Sequence, residues 1–186
     1  MKNISKIMAT ALVLTGASFV PAQAAVQGSL GSTSTGSINL SITKNVQAQI
    51  SDLTDMTLSN WSVGGGSVML TSNVCVYSST GSYKVTATGS GLLNAFTVAS
   101  GLNTIPYTVT WNAGGAGNLA NTGTALTTAS QSGTFANAAT ASATCGGGAA
   151  NDTARVIVGI TSASMESAAS SATPYTGTLT LLITPY

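Results

Sequence analysis

The side chains able to do chemistry are few and far apart. The chain has no histidine, two cysteines, four acidic residues and five basic ones in 186 positions. Without histidine there is no ordinary general base, no imidazole metal ligand and no Ser-His or Cys-His nucleophile pair. Cys75 and Cys145 stand about 70 residues apart, too isolated for a zinc site and without a local base to make a thiolate. Asp52 and Asp55 are the one close acidic pair. A glycosidase holds two carboxylates across a cleft, and a calcium site gathers more oxygens than one pair supplies. Asp52-Leu-Thr-Asp55 reads instead as a turn whose side chains bond nearby backbone N–H groups. Asp152 and Glu166 stand alone and are expected on solvated loops. Gly64-Gly65-Gly66, Gly114-Gly115 and Gly146-Gly147-Gly148 are not followed by Lys-Ser or Lys-Thr, so they read as turns rather than phosphate cradles. Trp111 closes an alternating run and is expected in the core. Trp61, beside turn residues, is open to other uses. No enzyme, cofactor or metal follows from this inventory.

The elements that position these residues begin after a leader. Lys2 and Lys6 precede a largely apolar stretch from Ile7 to Val20, then Pro21 and Ala22-Gln23-Ala24, so residues 1–24 read as a secretory signal peptide. Lys44, Lys84 and Arg155 then face Asp52, Asp55, Asp152 and Glu166, and three minus four leaves a charge of −1. No basic face exists, so binding of nucleic acid through phosphates is not expected. In an exported chain two cysteines default to one disulfide. Closing a loop of about 70 residues is worth roughly 4 kcal/mol in the chain-entropy treatment.

The rest reads as one all-β domain built as a two-layer sandwich. Period-two runs occur at Val46, Ala48 and Ile50, at Tyr83, Val85 and Ala87, at Ile105 through Trp111, at Val156 through Ile160, and from Tyr175 to Ile183. Shorter strands are expected at Val68–Leu70 and Ala95–Val98. Residues 112–143 read as loops and short strands, and 162–172 as one helical turn or none.

Gly36-Ser-Ile-Asn-Leu-Ser-Ile-Thr43 is a further alternating run, with Ile38, Leu40 and Ile42 on one oily face. That face must be buried somewhere. It can close its own domain or enter the groove of a neighbouring copy.

Five segments in order carry a resemblance. They are Cys75 through Gly89, Phe96-Thr-Val, Ile105-Pro-Tyr-Thr-Val-Thr-Trp111, Cys145, and Tyr175-Thr-Gly-Thr-Leu-Thr-Leu-Leu-Ile-Thr-Pro185. Together they resemble the spore coat U domain of subunits of archaic chaperone-usher pili. The resemblance implies an incomplete immunoglobulin-like β-sandwich completed by donor-strand exchange. Residues 25–43 would be an N-terminal extension with the donor strand, and 44–186 the pilin-like domain. Gly36, Ile38, Leu40 and Ile42 would insert, and Tyr175, Gly177, Leu179, Leu181 and Ile183 would border the groove. Val26 and Leu30 share the inserting face, so the register is free to slide. Relatives carry a cysteine near positions 46–50 that pairs with the one at Cys75. This chain has none there, which leaves Cys145 as the partner.

The expected function is therefore that of a structural subunit of a surface pilus, exported through the periplasm, supporting adhesion and biofilm formation. Its partners would be identical or related subunits, a periplasmic chaperone and an outer-membrane usher. The alternative is a monomeric, self-complemented secreted binding module, lectin-like or ice-binding. Three aliphatics at roughly 1.5–3 kcal/mol each give the inserting strand on the order of 5–9 kcal/mol before ordering costs.

Overall fold

A computed structural model describes residues 25–186, so the leader expected over 1–24 lies outside the described residues. The chain divides into two units, one ending at Lys44 and one spanning Asn45–Tyr186.

In the larger unit nine strands and one short helix follow one another. They are β1 (Ala48–Ser51), β2 (Val68–Ser78), β3 (Tyr83–Gly89), β4 (Thr97–Ser100), β5 (Asn103–Pro106), β6 (Thr108–Asn112), β7 (Thr124–Ala125), β8 (Ala154–Ile160), α1 (Ser162–Ser167) and β9 (Leu179–Pro185). One sheet has the order β1-β2-β8-β6-β7, and two-stranded sheets are formed by β3-β9 and β4-β5, with every pair antiparallel. The fold is all-β and sandwich-like. Val74, Val76, Val109, Trp111, Val156 and Val158 from the large sheet join Tyr83, Val85 and Ala87 of β3 in one core.

Trp111 is fully buried, as expected, and its indole N–H donates to the Tyr83 hydroxyl at 3.1 Å. The two rings meet edge-on at 6.3 Å, an arrangement that aromatic quadrupoles favour. Burial pushes the Tyr83 phenol up to about 12, against a lowering by the Trp111 bond.

Four strands differ from the sequence expectation for identifiable reasons. β2 reaches Ser78 rather than Leu70. Val74, Cys75 and Val76 are all fully buried, so both faces are covered there and the alternation disappears. Ile105 through Trp111 is two strands. Pro106 has no N–H for a ladder, and the chain passes from the β4-β5 sheet to the large sheet beside it. The run from Tyr175 is likewise broken. Thr176 pairs with Ala99, whereas β9 starts at Leu179 against Gly89. Between them Gly177 passes so close to β4 that a Cβ would lie 3.0 Å from the Thr97 carbonyl oxygen. Val46 lies outside β1 and is exposed.

Candidate functional site

The first candidate region is the alternating N-terminal run. Ile38, Leu40 and Ile42 are 79 %, 87 % and 90 % exposed, and Gly36 is exposed too. Among its described residues Val26 and Ser37 form an antiparallel bridge, exchanging N–H···O bonds of 3.0 and 2.9 Å. Ile38, Leu40 and Ile42 lie in no ladder among the described residues. Three aliphatic side chains at period two are thus presented without cover.

The second region is formed by β1 and β9, each with a single ladder neighbour. Across β3-β9, Val85 opposes Ile183 and Ala87 opposes Leu181. The β3 member of each pair is fully buried, whereas Leu179, Leu181 and Ile183 are half-buried and packed on the core. β1 repeats this pattern. Ile50 is half-buried opposite fully buried Val76, and Ala48 is half-buried opposite Ser78. The two strands bring Cα atoms within 8 Å of each other without sharing a ladder. An edge strand leaves alternate N–H and C=O groups turned outward. On β9 those belong to the residues bearing the half-buried aliphatics, because Thr180, Leu182 and Thr184 are the alternating set in phase with the Tyr186 N–H bond to Ser82.

Of the other residues expected at this border, Tyr175 and Gly177 lie before β9. Tyr175 is half-buried and its hydroxyl donates to the Ala169 carbonyl at 2.6 Å. Gly177 is exposed and serves the close passage beside β4.

Cys75 and Cys145 are joined in a disulfide with Cα atoms 5.8 Å apart, fastening β2 to the loop after residue 139. Beyond Cys145 the glycine run forms a loop with φ of 74°, 77° and 92° at Gly146, Gly147 and Gly148, the left-handed region that glycine tolerates. Among the described residues no helix is long and apolar enough to cross a membrane. Trp61 is half-buried, and its indole N–H reaches the Gly66 carbonyl at 3.2 Å.

The acidic residues correct two expectations. Asp152 is not on a solvated loop. It is 2 % exposed and lines a cleft of about 530 Å³ with Asp52, Thr54, Ser72 and Arg155. Asp52, with φ of 62°, lines the same cleft, and the Thr54 N–H that its own turn would offer donates to Ser72 Oγ at 3.3 Å. Burial raises the Asp152 carboxyl above its ordinary value, and the nearby Asp52 acts the same way. Asp152 Oδ1 is buried with no hydrogen-bond partner. Sequence reading missed this pair because 100 residues separate its members.

No family model, no curated protein and no solved structure matches this chain.

Proposed function

We propose that this chain is a structural subunit of a fibre, an archaic chaperone-usher pilus of the spore coat U type, assembled by donor-strand exchange. In this reading the body is an immunoglobulin-like sandwich one strand short. The segment around Ile38, Leu40 and Ile42 of one copy fills the border between β1 and β9 of the next.

The observation that carries the reading is a match of two uncovered surfaces. The run 36–43 presents aliphatics at three alternate positions, and β9 offers half-buried Leu179, Leu181 and Ile183 at three alternate positions along an unpaired edge. A strand added to an edge supplies backbone bonds and fills side-chain pockets together. β9 is seven residues long and the run is of similar length, so one added strand spans the edge. The disulfide belongs to the class that persists in oxidising compartments, which suits an exported subunit held by a periplasmic chaperone before an usher assembles it. Adhesion and biofilm formation would follow from the fibre.

Ile38→Asp and Leu40→Asp test the reading. Each places a charge where an apolar pocket is to be filled, and each leaves the body untouched. The expected result is an unchanged melting temperature and fibre yield in cells reduced about tenfold or more, the factor that 1.4 kcal/mol of lost association produces. Wild-type yield from either variant would contradict it.

A further inference from the structure

The carboxylates of buried Asp152 and exposed Asp52 have no part in strand exchange, and the surroundings of Asp152 point to a ligand. Asp152 is 2 % exposed, and its Oδ1 has no hydrogen-bond partner. A buried ionised carboxylate persists when it is paired or coordinates a metal, and otherwise it takes up a proton. One basic group, Arg155, lines the same cleft. Its guanidinium is committed elsewhere. Nε donates to Asn73 Oδ1 at 2.7 Å and Nη1 to Asn121 Oδ1 at 2.6 Å. The carboxylates are left to each other.

We propose that Asp52 and Asp152 bind one hard divalent cation of the calcium class in this cleft. The lining supplies oxygen donors of the kind such a cation takes. Besides the two carboxylates these include the hydroxyls of Thr54 and Ser72, which are 2.9 Å apart and already hydrogen-bonded to one another. Soft ligands play no part, since there is no histidine and both cysteines are in the disulfide. The charge balance is simple. Bound here, a divalent cation faces both carboxylates. Two positive charges then meet two negative ones.

Two carboxylates form the site, and no group of three acidic, cysteine or histidine residues occurs among the described residues. Arg155 adds a nearby positive charge. Both facts place the affinity in the weak range of extracellular calcium modules, about 10⁻⁴–10⁻³ M. The bound ion would tie the chain leaving β1 at Asp52 to the start of β8 at Asp152. Occupancy would therefore stiffen the segment next to one of the two unpaired edges.

The test is calorimetric titration of the purified chain with calcium chloride at matched ionic strength, paired with thermal melts. One saturable site per chain is expected, with a melting temperature that rises as the site fills. Asp152→Asn and Asp52→Asn should each weaken binding about tenfold or more. If Asp152→Asn does not fold, Asp52→Asn decides the matter alone. No saturable binding up to about 10 mM, well above the weak range, would overturn the proposal. So would binding undiminished in the foldable variants. A melting temperature that ignores calcium would also overturn it.

Discussion

The two edges of the β3-β9 sheet are treated differently by the same chain. Along the β3 edge the segment 128–135 lies close and bonds. Ala129 donates to the Ala87 carbonyl at 2.8 Å, Ser132 to Val85 at 2.9 Å, and Tyr83 and Phe135 exchange bonds of 3.0 and 2.8 Å. Phe135 also stacks toward Tyr83 and Trp111 at 5.8 and 6.5 Å. Along the β9 edge no strand of the sheet follows. Both strands alternate apolar and polar residues, yet Val85 is fully buried and its neighbour Ile183 only half so. Alternation therefore reports which face is oily. Whether anything covers it depends on a distant segment.

The largest effect separates the sealed side from the open one. Trp111→Ala removes a fully buried indole and the bond to Tyr83, and is expected to cost about 3–5 kcal/mol. Leu181→Ala on the open edge deletes a half-buried side chain and should cost less than about 2 kcal/mol, below the range for fully buried leucines. Urea unfolding of both variants checks the contrast, and equal losses would mean that the β9 edge is as well covered as the core.

A smaller effect concerns the cleft. Asp152 has its carboxyl raised in the folded state by burial, then by Asp52. The fold thus favours the protonated form, and stability is full below the ordinary carboxylate value. It is lost as pH rises through the raised one. In cation-free buffer the melting temperature should fall as pH rises through that raised value. Asp152→Asn, which never ionises, should flatten that slope and melt higher than the parent at neutral pH. A slope unchanged in the variant would assign it to other groups.

Much of this comparison was legible in the residues themselves. The tight alternation at Tyr83, Val85 and Ala87, and at Val156 and Val158, gave strands within a residue or two of those observed, because one face of each is buried. Cys75 and Cys145 are joined as the compartment argument implies, whereas the relatives' pairing uses a cysteine near positions 46–50 that this chain lacks. What escaped reading depends on contacts between distant segments. Covering both faces of β2 hid its length, Pro106 and Gly177 each split an alternating run between two sheets, and Asp152 acquired its partner from far upstream. The N-terminal run has the alternation of a strand, yet its aliphatics Ile38, Leu40 and Ile42 lie in no ladder among the described residues.

The proposal of intermolecular strand insertion is tested most directly by cross-linking assembled protein. A photoreactive residue in place of Ile38 or Leu40, in fibres grown from mixed light and heavy isotope-labelled chains, reports its neighbour by mass spectrometry. Light-to-heavy cross-links from these positions to Leu179, Leu181, Ile183 or Ile50 are predicted. Cross-links confined to single chains, in a protein that sediments as a closed monomer, would contradict the account.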